Sequence, residues 1–169
     1  MKVRKKVMKW FSGIRTAEEC KKRYHELVKI YHPDMGGSGI EIKEIISEYK
    51  MIWERVKNLH YSEEKQETYT KETDEKPEEF IWIINELFKF KGIVIEMCGS
   101  WLWLSGNTLD IKDELKNIGC RWSRGKKKWY YTHDAWKPTT FHKSMQDIRK
   151  TYGSKIITPS QNYFIGSRA

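Results

Sequence analysis

Cysteine is scarce in this 169-residue chain: Cys20, Cys98 and Cys120 form an odd set with no CxxC spacing. That takes support from a disulfide scaffold and from a four-ligand zinc site, and it makes a reducing compartment, the cytoplasm, the expectation. No uncharged apolar run of about 18 residues occurs, so no segment is expected to span a bilayer. The basic start MKVRKKVMKWFSG has no apolar stretch behind it, so no secretory signal is expected. There is no P-loop, no dinucleotide glycine pattern and no nucleophile elbow, and the five His have no usable metal-ligand spacing. The expectation is a non-enzyme with no cofactor and no metal. His133-Asp134 reads as a turn, and Asp110, Asp113 and Glu114 read as charges that complement the start of a helix.

Aromatic residues are plentiful: 14% of the chain, with eight Trp, within 38% apolar residues overall. This is enough to build a core and too much for a chain that stays unfolded. The net charge of +9 is unevenly spread. Residues 1–61 hold 14 basic and 8 acidic side chains, residues 62–79 hold 3 and 8, and residues 80–169 hold 15 and 7. The middle piece, SEEKQETYTKETDEKPEE, has one aromatic and no aliphatic residue, so it reads as an acidic linker between two modules. It reads equally as the solvated tail of a helix that starts near Ile42. Pro77 and the abrupt apolar start at Phe80 favour the linker, with a new domain after it. No internal repeat is evident.

In the first module, Tyr24, Leu27, Val28 and Tyr31 fall on one helical face, and Thr16 followed by Glu19 is a capping box. The opposite face carries Lys21, Lys22, Arg23 and Lys29. Pro33 disfavours helix at His32, and Gly36-Gly37 frees the backbone for a turn. Ile42, Ile45, Tyr49, Ile52 and Val56 then give a second helix. The spacing predicts an antiparallel hairpin with His32-Pro33-Asp34 at its turn.

The stretch TAEECKKRYHELVKIYHPDMGGSGIEIKEIISEYKMIWERVKN resembles a J domain, the module by which DnaJ-type co-chaperones engage DnaK-type ATPase chaperones. Its compact HPD-x-GG loop is similar to the short-loop J domains of polyomavirus large tumour antigens and mitochondrial import-motor subunits. The likeness covers roughly residues 7 to 58. It implies that His32, Pro33 and Asp34 trigger ATP hydrolysis in the partner, and that the helix face around Lys21, Lys22, Tyr24 and Lys29 docks on it. Two family positions after the helix Tyr, commonly basic, are His25 and Glu26 here. The family's first helix would fall to Trp10, Phe11 and Ile14.

In the second module Phe80, Ile83, Ile84, Leu87 and Phe88 give a helix with an apolar face. Ile93 to Met97 and Trp101 to Leu104 read as a β-hairpin, and Leu109, Ile111, Leu115 and Ile118 as a helix ended by Gly119. Cys120 to Ser123 and Trp129 to Thr132 form a second hairpin across Arg124-Gly125-Lys126-Lys127-Lys128, and a helix follows around Thr140 to Tyr152. The predicted class is α+β: a helical J domain over 1–61, a linker over 62–79, and a module of two hairpins around a helix over 80–169. Strand alternation puts Trp101 and Trp103 on one face and Leu102 and Leu104 on the other. Trp129 and Tyr131 share a face, with Trp122 across from one of them.

If a helix covers the aliphatic side, Trp101, Trp103, Trp122, Trp129 and Tyr131 form a stacking platform beside Arg124, Lys126, Lys127 and Lys128. Stacking surfaces beside cations suit single-stranded DNA or RNA. With 24 Lys to 8 Arg, backbone attraction is favoured over base reading. The pattern WLWLSGNTLDIKDELKNIGCRWSRGKKKWYY is similar to the ββαββ pattern of HARP-type domains in annealing helicases. The leading expectation is a cytoplasmic co-chaperone that brings a DnaK-type ATPase to a target held by residues 80–169. The alternatives are a single-stranded nucleic-acid-binding accessory protein of a phage or mobile element, and a small inhibitor or adaptor bound to a large host protein.

Overall fold

The computed structural model describes residues 8–32, 36–37, 39–134 and 143–156. They form a mixed α+β fold with a two-stranded and a five-stranded sheet. None of their helices is long and apolar enough to cross a membrane.

Helix α1 (Ala17–Tyr31) begins where the cap predicts: the Thr16 hydroxyl accepts the Glu19 N–H at 3.2 Å. The reciprocal bond shifts by one residue, because the Glu19 carboxylate accepts the N–H of Arg15 at 2.8 Å instead. The helix ends at His32, which is extended (ψ 139) as a residue before proline should be. The turn closes tightly. Gly37 donates its N–H to the His32 carbonyl, and a Cβ at Gly37 would sit 2.0 Å from the Tyr31 carbonyl oxygen. Helix α2 (Gly39–Val56) runs back along α1, since Tyr24 meets Tyr49 while Lys21, a turn earlier, meets Trp53.

The helix expected at Trp10, Phe11 and Ile14 is not there: residues 8–16 are irregular. Trp10 and Phe11 are nevertheless buried, because the Glu48 carboxylate on α2 accepts the N–H groups of Lys9, Trp10 and Phe11 at 3.0, 2.7 and 3.2 Å. A single carboxylate does here what a helix's own carbonyls would otherwise do. Glu48→Ala leaves buried donors unpaired and is expected to lower stability by about 3 kcal/mol, read from the urea midpoint.

Residues 62–79, expected as a linker, carry structure. Strands β1 (Leu59–Ser62) and β2 (Glu67–Thr70) form a hairpin, and Glu75 and Pro77 are buried. Trp53 on α2 donates its indole N–H to the Glu75 carbonyl at 2.9 Å. Helix α3 (Pro77–Phe88) starts with proline at its first turn, where the missing N–H costs nothing. Its Phe80, Ile83, Ile84 and Leu87 are fully buried, each worth roughly 2 kcal/mol of removed apolar surface.

The large sheet has strand order β5-β6-β4-β3-β7, with every pair antiparallel. Its strands are β3 (Ile93–Cys98), β4 (Trp101–Gly106), β5 (Arg121–Ser123), β6 (Lys128–Tyr131) and β7 (Lys155–Ile156). A 3-10 turn (Leu109–Ile111) and helix α4 (Lys112–Asn117) connect β4 to β5. The short edge strand β7 was not foreseen. Helix α5 (Met145–Tyr152), capped by Ser144, matches the described part of the helix expected from Thr140; residues 140–142 lie outside the described residues. Leu102, Leu104 and Ile95 on one sheet face join α1, α2 and α3 in one hydrophobic core, so the two expected modules are packed as one body.

Candidate functional site

Two regions gather the residues singled out by sequence. The first is the α1–α2 turn. His32 closes α1 by donating its N–H to the Val28 carbonyl at 2.9 Å, and its ring lies 6.2 Å from that of Phe88 on α3. Pro33 and Asp34 lie outside the described residues. Lys22 is exposed and Lys29 half-buried on the same helix.

Lys21 and Tyr24 are not on that docking face. Tyr24 is in the core, and Lys21 is only 2% exposed. Its ammonium pairs with Glu75 at 2.7 Å and lies 4.8 Å from the Phe80 ring centre and 5.3 Å from that of Trp53. A lysine with a buried carboxylate and two aromatic faces around it is an internal strut. The sequence did carry a signal: Ala17, Lys21, Tyr24 and Val28 share one helical stripe, so position 21 falls on the core side.

His25 is buried too, edge-on to Phe80 at 4.8 Å, and neither ring nitrogen has a hydrogen-bond partner among the described residues. Burial, with the charges of Lys21 and Lys29, pushes its pKa well below the ordinary histidine value. The basic face is interrupted at Glu26 as well. Burial opposes that carboxylate's charge, but Lys155 of β7, bonded to it at 2.6 Å, together with Lys22 and Arg23 holds its pKa down.

The second region is the sheet face opposite the core. Register pairs Trp103 with Tyr130, so these two share a face with Trp101. Trp101 stacks on Trp103 at 5.8 Å and on Tyr130 at 5.3 Å, and Lys126 lies 5.5 Å from the Trp103 ring. Trp129 and Tyr131 do not join them. They pair with Leu104 and Leu102 and so lie on the aliphatic face, where Trp129 is buried in the core. Trp122 opposes Trp129 on that same face, but at the sheet edge it stays 46% exposed beside exposed Arg124 and Lys127 and half-buried Lys128. The expected five-residue platform is therefore a three-ring stack of Trp101, Trp103 and Tyr130, with a separate aromatic at the edge.

Helix α5 partly covers the stack through Met145 and Ile148. Its clamp is Arg149, whose guanidinium donates two bonds to the Glu96 carboxylate, one of them at 2.9 Å, with Ser154 donating a third. Arg149 keeps the Glu96 carboxyl below its usual pKa.

Cys20, Cys98 and Cys120 are buried free thiols, pushed by burial to about 12, 11 and 12, so they are poor nucleophiles. Among the described residues no group of three or more His, Cys, Asp or Glu could hold a metal ion. Comparison with protein-family models, with curated proteins and with solved structures finds nothing that matches the chain.

Proposed function

We propose that the chain is a J-domain co-chaperone: the α1–α2 hairpin engages a DnaK-type ATPase through His32, Pro33 and Asp34, and the second region holds the target. The observation that carries this reading is the helical hairpin itself. A capped α1 that ends at His32 and returns as α2 through a glycine-closed turn is the frame that the HPD motif requires. Such a frame holds an imidazole at a fixed point, while Lys22 and Lys29 supply the positive field that orients an acidic partner. With Lys21 internal, docking rests on fewer cations than the sequence promised, so its salt dependence should be shallow.

The test is ATP turnover by a DnaK-type chaperone with the full chain added. Wild type is expected to accelerate turnover several-fold and His32→Gln to abolish the acceleration with the fold intact. Equal acceleration by both, or none by either with a matched chaperone, would sink the reading.

The Trp101, Trp103 and Tyr130 stack beside Lys126 favours a second reading, single-stranded nucleic-acid binding. Its mark is an affinity for an oligonucleotide that falls steeply as salt rises.

A further inference from the structure

The aromatic stack borders a cavity of about 490 Å³, a size that takes a small organic ligand. Trp101, Trp103 and Lys126 line it from the sheet, and Trp53, His60 and Tyr69 from the helical hairpin and β1–β2. Such a chamber is aromatic on both sides. His60 and Tyr69 are themselves stacked at 5.2 Å.

The charges of the lining separate into spent and unspent. Lys21 pairs with Glu75, His60 with Glu18, Lys71 with Asp134 and Lys57 with Glu54. Lys126 and Lys143 have no ion-pair partner within 4 Å among the described residues, although Lys143, after the Ser144 hydrogen bonds, helps to lower the pKa of Asp147. Each instead lies 5.5 Å from an aromatic ring centre, Trp103 and Tyr152 respectively. Trp103, only 4% exposed, also has an indole N–H without an acceptor among the described residues.

Two ammonium groups outside ion pairs and a half-exposed indole that extends a stack call for a flat aromatic group with an attached anion. We propose that this cavity binds a nucleotide unit, its base stacked on Trp101 and its phosphate held by Lys126 and Lys143. The lining's one carboxylate outside an ion pair, Glu72, is exposed and disfavours a polyphosphate. A single phosphate is therefore the expected anion. The same unit occurs as a free mononucleotide or as one residue of a single strand; the inference rests on the nucleic-acid reading only in the second case.

The test uses the full chain, titrated calorimetrically with adenosine monophosphate and separately with a ten-residue oligodeoxyadenylate. Trp101→Ala and Lys126→Glu are each expected to weaken binding roughly tenfold or more, as loss of a base–aromatic stack or a phosphate contact does. Trp101→Phe keeps a stacking ring and should bind within a few-fold of wild type, which separates lost stacking from lost folding. Lys116→Glu, exposed on α4 and outside the cavity, should leave monophosphate binding unchanged. Monophosphate binding that needs Trp101 supports the cavity whatever the oligonucleotide does, and Trp101-dependent binding of the oligonucleotide alone supports it with a polynucleotide as the source. Oligonucleotide binding indifferent to Trp101 overturns the cavity while leaving the nucleic-acid reading standing. No binding of either probe overturns both.

Discussion

Replacing Lys21 by Met is expected to lower the unfolding free energy by about 3–5 kcal/mol, the usual effect of removing one partner of a buried ion pair. The lost attraction is the smaller part. Glu75, whose side chain is 7% exposed against 3% for Lys21, would keep a charge with its counter-ion gone. The double variant Lys21→Met/Glu75→Leu should recover most of the loss, since a well-packed apolar pair of similar size is often neutral or stabilising relative to the pair it replaces. Urea unfolding of the four proteins in that cycle decides it. If the double variant were no better than the single one, the packing of the lysine stem and its aromatic contacts with Phe80 and Trp53 would be the dominant contribution instead.

The second large effect comes from His25, and its sign follows from its surroundings. Its folded pKa is lowered by burial and by Lys21 and Lys29, so the folded state holds it neutral while the unfolded chain protonates near 6.5. Stability from this group is present above pH 6.5 and is lost as pH falls below it, by about 1.4 kcal/mol per pH unit until the folded value is reached. His60 and His133 act oppositely. The Glu18 carboxylate bonded to His60 raises its pKa; burial opposes the charge on His133, but Asp74, Glu75 and Glu79 raise it. Their contributions are present below 6.5 and fade as pH rises through the raised values. His25→Leu removes two nitrogens that have no partner among the described residues, so it should stabilise the fold at neutral pH and flatten the acid limb. Unfolding free energies at pH 5 and 7 for the two proteins are the check, and an unchanged acid limb would place a proton partner beside His25.

Local order was the legible part. The cap at Thr16, the stop before Pro33, the helix through Ile83 and Leu87 and the hairpin across Gly99-Ser100 depend on residues within a few positions of each other, and all appear in the fold. What depends on distant partners was not legible. Lys21 meets Glu75 from 54 positions away, inside a stretch whose polarity resembles a linker. The sides taken by Trp129 and Tyr131 follow from the β4–β6 register, and a helical connection rather than a tight turn sets that register. Parity within each strand was readable, but the relation between strands was not. Strand β7 has two residues, too few for any alternation to show. The candidate cavity draws on residues from Ala17 to Tyr152, so no window of sequence contains it.

The single core shared by the helical hairpin and the sheet changes what kind of machine this is. A disordered tether would let its two ends sample one another at a concentration set by length. Here Phe80 touches Tyr24, His25 and Tyr49 at once, and Glu75 is locked to α1 and α2. The His32 turn and the aromatic sheet face therefore sit on one stiff lever. A partner at one end would meet whatever is gripped at the other at one distance and one angle, so changes in bearing should matter more than changes in reach. A cut between residues 61 and 80 would strand a lysine and strip an aromatic cluster, and the whole chain should melt in a single cooperative step.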